Sequence, residues 1–92
     1  MVELARRLRR RDRVLAREAS GTLVVLDLDS GHYFSLDGVG ARAWELCDGE
    51  RDVAGMLERL GEEYDAPIDV LREDLLAFLQ EMLDEALLVP VD

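Results

Sequence analysis

Ninety-two residues fit one domain, and a chain of that size buries only roughly 60–65% of its unfolded surface, which leaves little room to enclose an active site. Its 11 Arg, with no Lys, stand against 21 Asp and Glu, and residues 1–17 hold seven of those Arg against Glu3 and Asp12, a net +5 ahead of a body at −15. Such a body is repelled by phosphate backbones, so the charge weighs against nucleic-acid binding and describes a well-solvated globular domain with a basic arm.

In chain order, residues 1–13 are that arm. Leu4 and Leu8 are spaced for a short amphipathic helix, but the dense arginines and few apolar anchors predict fraying. Residues 14–36 read as strands. Val14 to Arg17 is a weak one, Thr22-Leu-Val-Val-Leu-Asp-Leu28 a strong one, and His32-Tyr-Phe-Ser-Leu36 a third with Phe34 and Leu36 on one face. Ser20-Gly21 and Asp29-Ser-Gly31 supply turn chemistry between them. The spacing predicts a three-stranded antiparallel meander with 22–28 in the middle and 32–36 at an edge.

Residues 37–88 read as three helices. Val39, Ala43, Leu46 and Cys47 mark the first, with Asp37 as N-cap and Asp48-Gly49 as the stop. Val53, Met56, Leu57, Leu60 and Tyr64 mark the second, with Asp52 as its cap and Asp65-Ala66-Pro67 as its end. Leu71, Leu75, Phe78, Leu79, Met82 and Ala86 mark the third, with Asp69 as its cap. Leu76 and Leu83 widen its apolar arc beyond the roughly 100° that a single core contact needs, so this helix touches apolar matter on two sides. Strands followed by helices give an α+β class, with the folded domain running from 14 to 92.

Catalysis finds little support. The single Cys47 and single His32 lie on different elements, with no third residue to orient them, so Cys47 reads as a small buried residue and His32 as a surface strand residue. Asp27-Leu-Asp29-Ser-Gly31 resembles the start of a calcium loop, but its sixth and twelfth places fall on His32 and Gly38 where Gly and Glu are required, and a β-turn is the better reading. Glu62-Glu63, and Glu81 with Asp84, read as solvated helix faces, and Trp44 and Phe78 as core. We expect no enzyme activity, no cofactor and no metal. One Cys allows no internal disulfide, no apolar run suffices for a membrane span, and no apolar segment follows the N-terminal arginines as a secretory signal requires. A cytoplasmic protein without membrane or nucleic-acid partners is therefore expected.

What remains is the edge. A short strand at His32–Ser35 offers unpaired N–H and C=O groups beside a helix with surplus apolar surface. That combination suits β-augmentation, in which an extended peptide joins the sheet and drops alternate side chains into an apolar trough. The edge could instead be covered by the arm or by a second copy, which would make a homodimer.

Three segments carry a resemblance. Val25-Leu-Asp-Leu-Asp-Ser-Gly-His-Tyr-Phe-Ser-Leu-Asp37, Gly40-Ala-Arg-Ala-Trp44-Glu-Leu-Cys-Asp-Gly49 and Leu71-Arg-Glu-Asp-Leu-Leu-Ala-Phe-Leu79 together resemble the PqqD-like family, the precursor-peptide recognition elements, over roughly residues 14–89. The resemblance implies a winged helix-turn-helix-like fold of three strands and three helices. It implies a domain that binds the leader region of a ribosomally made precursor peptide and hands it to a leader peptidase, a cyclase or a radical-SAM protein. In that family the leader adds to the third strand against the third helix, which maps to His32, Tyr33, Phe34 and Ser35 and to Val70, Leu71, Asp74, Leu75 and Phe78. Lasso-peptide delivery is the first expectation and pyrroloquinoline quinone biosynthesis the second; a winged-helix nucleic-acid-binding or regulatory protein is the alternative. An acidic domain favours a leader bearing Lys or Arg, with Asp74 as the contact. The Arg-rich arm lies outside the family pattern.

Overall fold

A computed structural model of the chain describes residues 2–91. Ser20 and Gly21 carry φ of 54° and 81°, the pairing that a two-residue type I′ turn demands. They join β2 (Val14–Ala19) to β3 (Thr22–Asp27), in register from Ala19 opposite Thr22 to Val14 opposite Asp27. A second turn leads to β4 (Tyr33–Leu36), which pairs with β3 from Leu26 opposite Tyr33 to Leu23 opposite Leu36. This is the expected meander, with β3 in the middle.

Three helices follow: α1 (Gly38–Leu46), α2 (Val53–Glu63) and α3 (Ile68–Asp84). Asp52 caps α2 by accepting from the Gly55 N–H at 2.8 Å. Asp37 holds the N-cap place of α1 but its side chain makes no cap bond. Pro67 stands at the N-cap of α3, so Asp69 falls inside the first turn, where a negative charge suits the helix dipole. The C-terminus of α3 closes as a Schellman motif: Leu87 N–H donates to Met82 O at 2.9 Å and Ala86 N–H to Leu83 O at 3.0 Å, with Ala86 left-handed at φ 59°. Among the described residues no helix is long and apolar enough to cross a membrane.

The chief correction concerns residues 1–13. Arg7–Arg10 form a strand, β1, at the centre of a second antiparallel sheet between β5 (Asp48–Asp52) and β6 (Leu88–Val91). Arg7 stands opposite Val91 and Arg10 opposite Leu88. Pro90 is tolerated because β6 is an edge strand. Leu8, 1% exposed, joins Val2 and Leu88 in the core cluster with Trp44, Met56, Leu60 and Leu79. Leu8 and Val2 also line a small cavity with Leu83 and Gln80 of α3, so the wide apolar arc of that helix does meet a second apolar surface.

Three of the arm's arginines build this arrangement. Arg10 Nη1 donates to the carbonyl of Trp44 at 3.0 Å, which also accepts the Cys47 N–H, and to that of Glu45 at 2.9 Å, tying the end of α1 to β1. Arg11 reaches three ways: Nε to Ala86 O at 2.6 Å, Nη2 to Asp27 Oδ1 at 2.7 Å and Nη1 to Asp29 Oδ2 at 2.9 Å. Arg13 Nε meets Asp29 Oδ1 at 2.6 Å. Farther off, Arg42 binds Glu63 with a two-bond fork at 2.7 and 2.8 Å, tying α1 to α2.

The Asp27 carboxylate is held to about 2, below its ordinary 3.8, first by the Arg11 guanidinium and next by the Asp29 N–H that it accepts at 2.9 Å. A group with a depressed folded-state pKa binds fewer protons folded than unfolded, so its stabilisation is full above the unfolded value and drains as pH falls. Denaturant titrations from pH 6 to pH 2 should therefore show the unaltered chain losing stability between about pH 4 and pH 2, and Asp27→Asn losing less over that span. Parallel acid limbs would show that the pair does not form. Leu8→Ala should lower stability by about 2–4 kcal/mol, as expected of a fully buried leucine, and lower Tm accordingly. An unchanged Tm would return residues 1–13 to the status of a frayed arm.

Candidate functional site

Hydrogen-bond phase decides which groups of β4 are free. Leu28 N–H donates to Arg13 O at 3.0 Å and Asp27 N–H donates to His32 O at 2.9 Å. In an antiparallel strand successive residues turn their polar groups to opposite neighbours. Asp27, Val25 and Leu23 therefore bond β4, through the residues opposite them at 32, 34 and 36. The N–H and C=O groups of Tyr33 and Ser35 point to the open edge, where the sheet has no further strand.

His32 lies outside β4, in the turn. Its N–H donates to Ser30 Oγ at 3.2 Å and its C=O accepts from Asp27, so its backbone is committed within the chain. Phe34 and Leu36 face inward, half-buried against the core cluster, and Tyr33 and Ser35 are exposed. Strand parity thus separates two tasks: Tyr33 and Ser35 offer backbone, Phe34 and Leu36 offer an apolar floor.

The helix side divides similarly. Val70, Asp74 and Phe78 lie at i, i+4, i+8 along α3, the first 47% exposed, the second exposed and the third half-buried. Leu71 and Leu75, grouped with them in the sequence reading, are 2% and 1% exposed and present no surface; they hold the helix in place. Phe78 packs over Gly40 of α1, with ring carbons 3.5 Å from where a Cβ on that glycine would stand. Gly40 lies just beyond the end of β4, so this close approach ties α3 to the helix that β4 feeds. The sequence reading missed one exposed apolar residue, Ile68 at the start of α3, 54% exposed, while Leu36 and Val39, read there as strand and helix residues, are half-buried against the core. The position of Ile68 at the very start of α3 gave no periodic signal.

The surroundings are acidic. The exposed side of α3 carries Glu73, Asp74, Glu81, Asp84 and Glu85 around Leu76 and Ala77, a shallow groove suited to cations on an otherwise apolar ligand. Cys47 takes no part. It is 1% exposed, its Sγ donates to Ala43 O at 3.2 Å, and burial pushes its thiol up to about 12, so it stays protonated and weakly nucleophilic near neutrality. Among the described residues no group of three or more His, Cys, Asp or Glu is gathered to hold a metal ion.

The chain is similar to several known proteins. The family model of coenzyme PQQ synthesis protein D (PqqD) matches residues 22–88. Two relatives called PqqA binding protein are 33% identical: that of Bradyrhizobium diazoefficiens over 52 residues, 56% of this chain and 50% of its own, and that of Gluconobacter oxydans over 55 residues, 60% of this chain and 57% of its own. The chain thus spans about half the length of the curated relatives it matches. TbiB1 in complex with the TbiA(beta) leader peptide is similar with a TM-score of 0.77 at 29% identity, covering 87% of this chain and 93% of that one. Lasso peptide synthetase B1 complexed with the leader peptide shares the fold, with a TM-score of 0.79 at 20% identity over 90% of this chain and 98% of that one. A family match that runs from β3 through all three helices, well over half of the chain, places this chain in the PqqD family.

Proposed function

We propose that this chain binds the leader region of a ribosomally made precursor peptide as an added strand on β4 and presents it to a separate maturation enzyme. The observation that carries the reading is the free edge itself. Tyr33 and Ser35 turn two donors and two acceptors outward, next to the half-buried apolar floor of Phe34 and Leu36, and on this reading the Val70–Asp74–Phe78 stripe forms the facing wall. Each main-chain bond contributes about 0.5–1.5 kcal/mol net, and the guest's inward side chains add burial against Phe34, Leu36 and Phe78. Asp74 and the acids beyond it select a leader with Lys or Arg beside its docked segment. The relatives named for binding PqqA, and the complex of TbiB1 with a leader peptide, support the ligand class.

The chain carries no chemistry in this role; it raises the effective concentration of the peptide at an enzyme. The encounter occurs where precursors are made, in the cytoplasm. A lasso-type leader peptidase, the first expectation from the sequence, is the partner we favour; the likeness to leader-bound TbiB1 runs over nearly the whole of both chains, while the likeness to the PqqA binding proteins covers about half. The nucleic-acid alternative loses ground on the helices, which all carry acids; α3 sets Asp69, Glu73, Asp74, Glu81 and Asp84 against Arg72 alone.

Fluorescence polarisation with a labelled leader from the co-encoded precursor tests the reading. Ser35→Pro removes a guest-facing donor and should weaken binding at least tenfold, about 1.4 kcal/mol. Glu18→Pro, at the opposite edge of the same sheet, should leave affinity within about twofold by the same reasoning. Equal affinities for Ser35→Pro and the unaltered chain would sink strand addition at β4.

A further inference from the structure

The strand parity that turns Phe34 inward turns other residues out. Val25 is fully buried, and Val14, Leu23, Phe34 and Leu36 pack on the core, so they mark the inner face of the β2–β3–β4 sheet. The alternate residues form an outer face. Leu15 stands opposite Leu26, and Leu26 opposite Tyr33, making one apolar row across all three strands. The next row is Arg17, Val24 and Ser35. Leu15 is 54% exposed, Leu28 41% and Tyr33 69%, half of the large apolar residues that are exposed among those described. Arg17 is exposed on β2, beside the Leu15–Leu26–Tyr33 row, and takes part in no ion pair among the described residues.

A contiguous apolar face of this kind, with an aromatic residue and an unpaired arginine, has the composition of an interface centre. Two features of the structure choose its occupant. Arg17 asks for a carboxylate, whereas a twofold copy on the same face would bring another Arg17 and a second net charge of −10. The face also runs continuously into the edge of β4. A guest strand added there extends the same pleated surface by one strand, and its outward side chains fall in line with Leu15, Leu26 and Tyr33.

We infer that the outer face of the β2–β3–β4 sheet is the seat of the maturation enzyme, which meets the Leu15–Leu26–Tyr33 row with apolar side chains and Arg17 with a carboxylate. The inference rests on strand addition at β4, and it gives that reading a consequence: the enzyme touches carrier and cargo on one surface, so it distinguishes a loaded chain from an empty one.

Leu15→Glu and Arg17→Glu test it. Both positions are exposed on β2, with β3 lying between them and the guest edge, and thermal unfolding followed by circular dichroism verifies the fold. Leader affinity by fluorescence polarisation should stay within about twofold of the unaltered chain for both variants, because neither touches the guest. Affinity for the purified co-encoded maturation enzyme, measured by biolayer interferometry with the leader present, should fall at least tenfold in both, and the unaltered chain should bind that enzyme more tightly with leader than without. Intact leader binding with unchanged enzyme binding would overturn the proposal and leave strand addition standing. So would a dimer of the unaltered chain, seen by sedimentation velocity, that Leu15→Glu disperses while enzyme binding persists. No leader binding by the unaltered chain would overturn strand addition and this inference with it.

Discussion

One guanidinium holds together segments that are distant along the chain. Arg11 sits between the two sheets, and its planar fork spans Asp27 and Asp29 at the β3–β4 turn while Nε takes the Ala86 carbonyl just past α3. A lysine could not do this, because a point charge on a flexible stem cannot hold three acceptors in fixed directions. The side chains are 24% and 12% exposed for Arg11 and Asp27, partly shielded from solvent screening. Asp27 in turn accepts from the Asp29 N–H and donates its own N–H to His32 O. The turn that delivers β4 is therefore fixed from both ends, and with it the direction in which Tyr33 and Ser35 offer their backbone.

An open edge is a hazard as well as a binding site, since any extended chain can add to it. Here the edge is only four residues long, and its companion helix is studded with carboxylates. Shortness limits the number of main-chain bonds available to a stray partner, and negative charge repels another copy of the same acidic chain. On the proposed strand-addition reading, selectivity would come from the side chains that a guest places in the floor and beside α3. A peptide lacking either the apolar spacing or the basic residues gains too little from so short a ladder.

The meander and the helices were legible because they announce themselves locally. Ser20-Gly21 marks a tight turn, the 22–28 run is β-branched, and α1 and α2 carry apolar stripes with Asp at their starts. The second sheet was not. β1 reads RLRR and β5 reads DGERD, compositions that argue for solvent, and each becomes a strand only by pairing with segments far away in the chain, Arg9 with Asp48 and Arg7 with Val91. Leu8 was the sole apolar clue in β1. At the site, the strand edge and the helix stripe were legible from alternation and spacing. The burial of Leu71 and Leu75 was not, because a helix stripe wider than one contact does not say which edge of it is covered. His32 looked like strand because Tyr33 and Phe34 follow it, yet the Ser30 hydroxyl draws its N–H into the turn.

The place of β1 has a consequence for how the molecule is made. It is the middle strand of β5-β1-β6, so its left and right partners are residues 48–52 and 88–91. Until residue 91 has been synthesised, RLRR has one neighbour at most and Leu8 has an incomplete pocket. β1 is thus completed by a strand on the far side of all three helices, and the loop it closes spans most of the domain, a contact of high sequence separation that slows folding. Folding on the ribosome can build the meander early, with its edge already exposed, but the whole unit locks only after translation has passed α3. A chain cut short before β6 would carry the open β4 edge on an unfinished body.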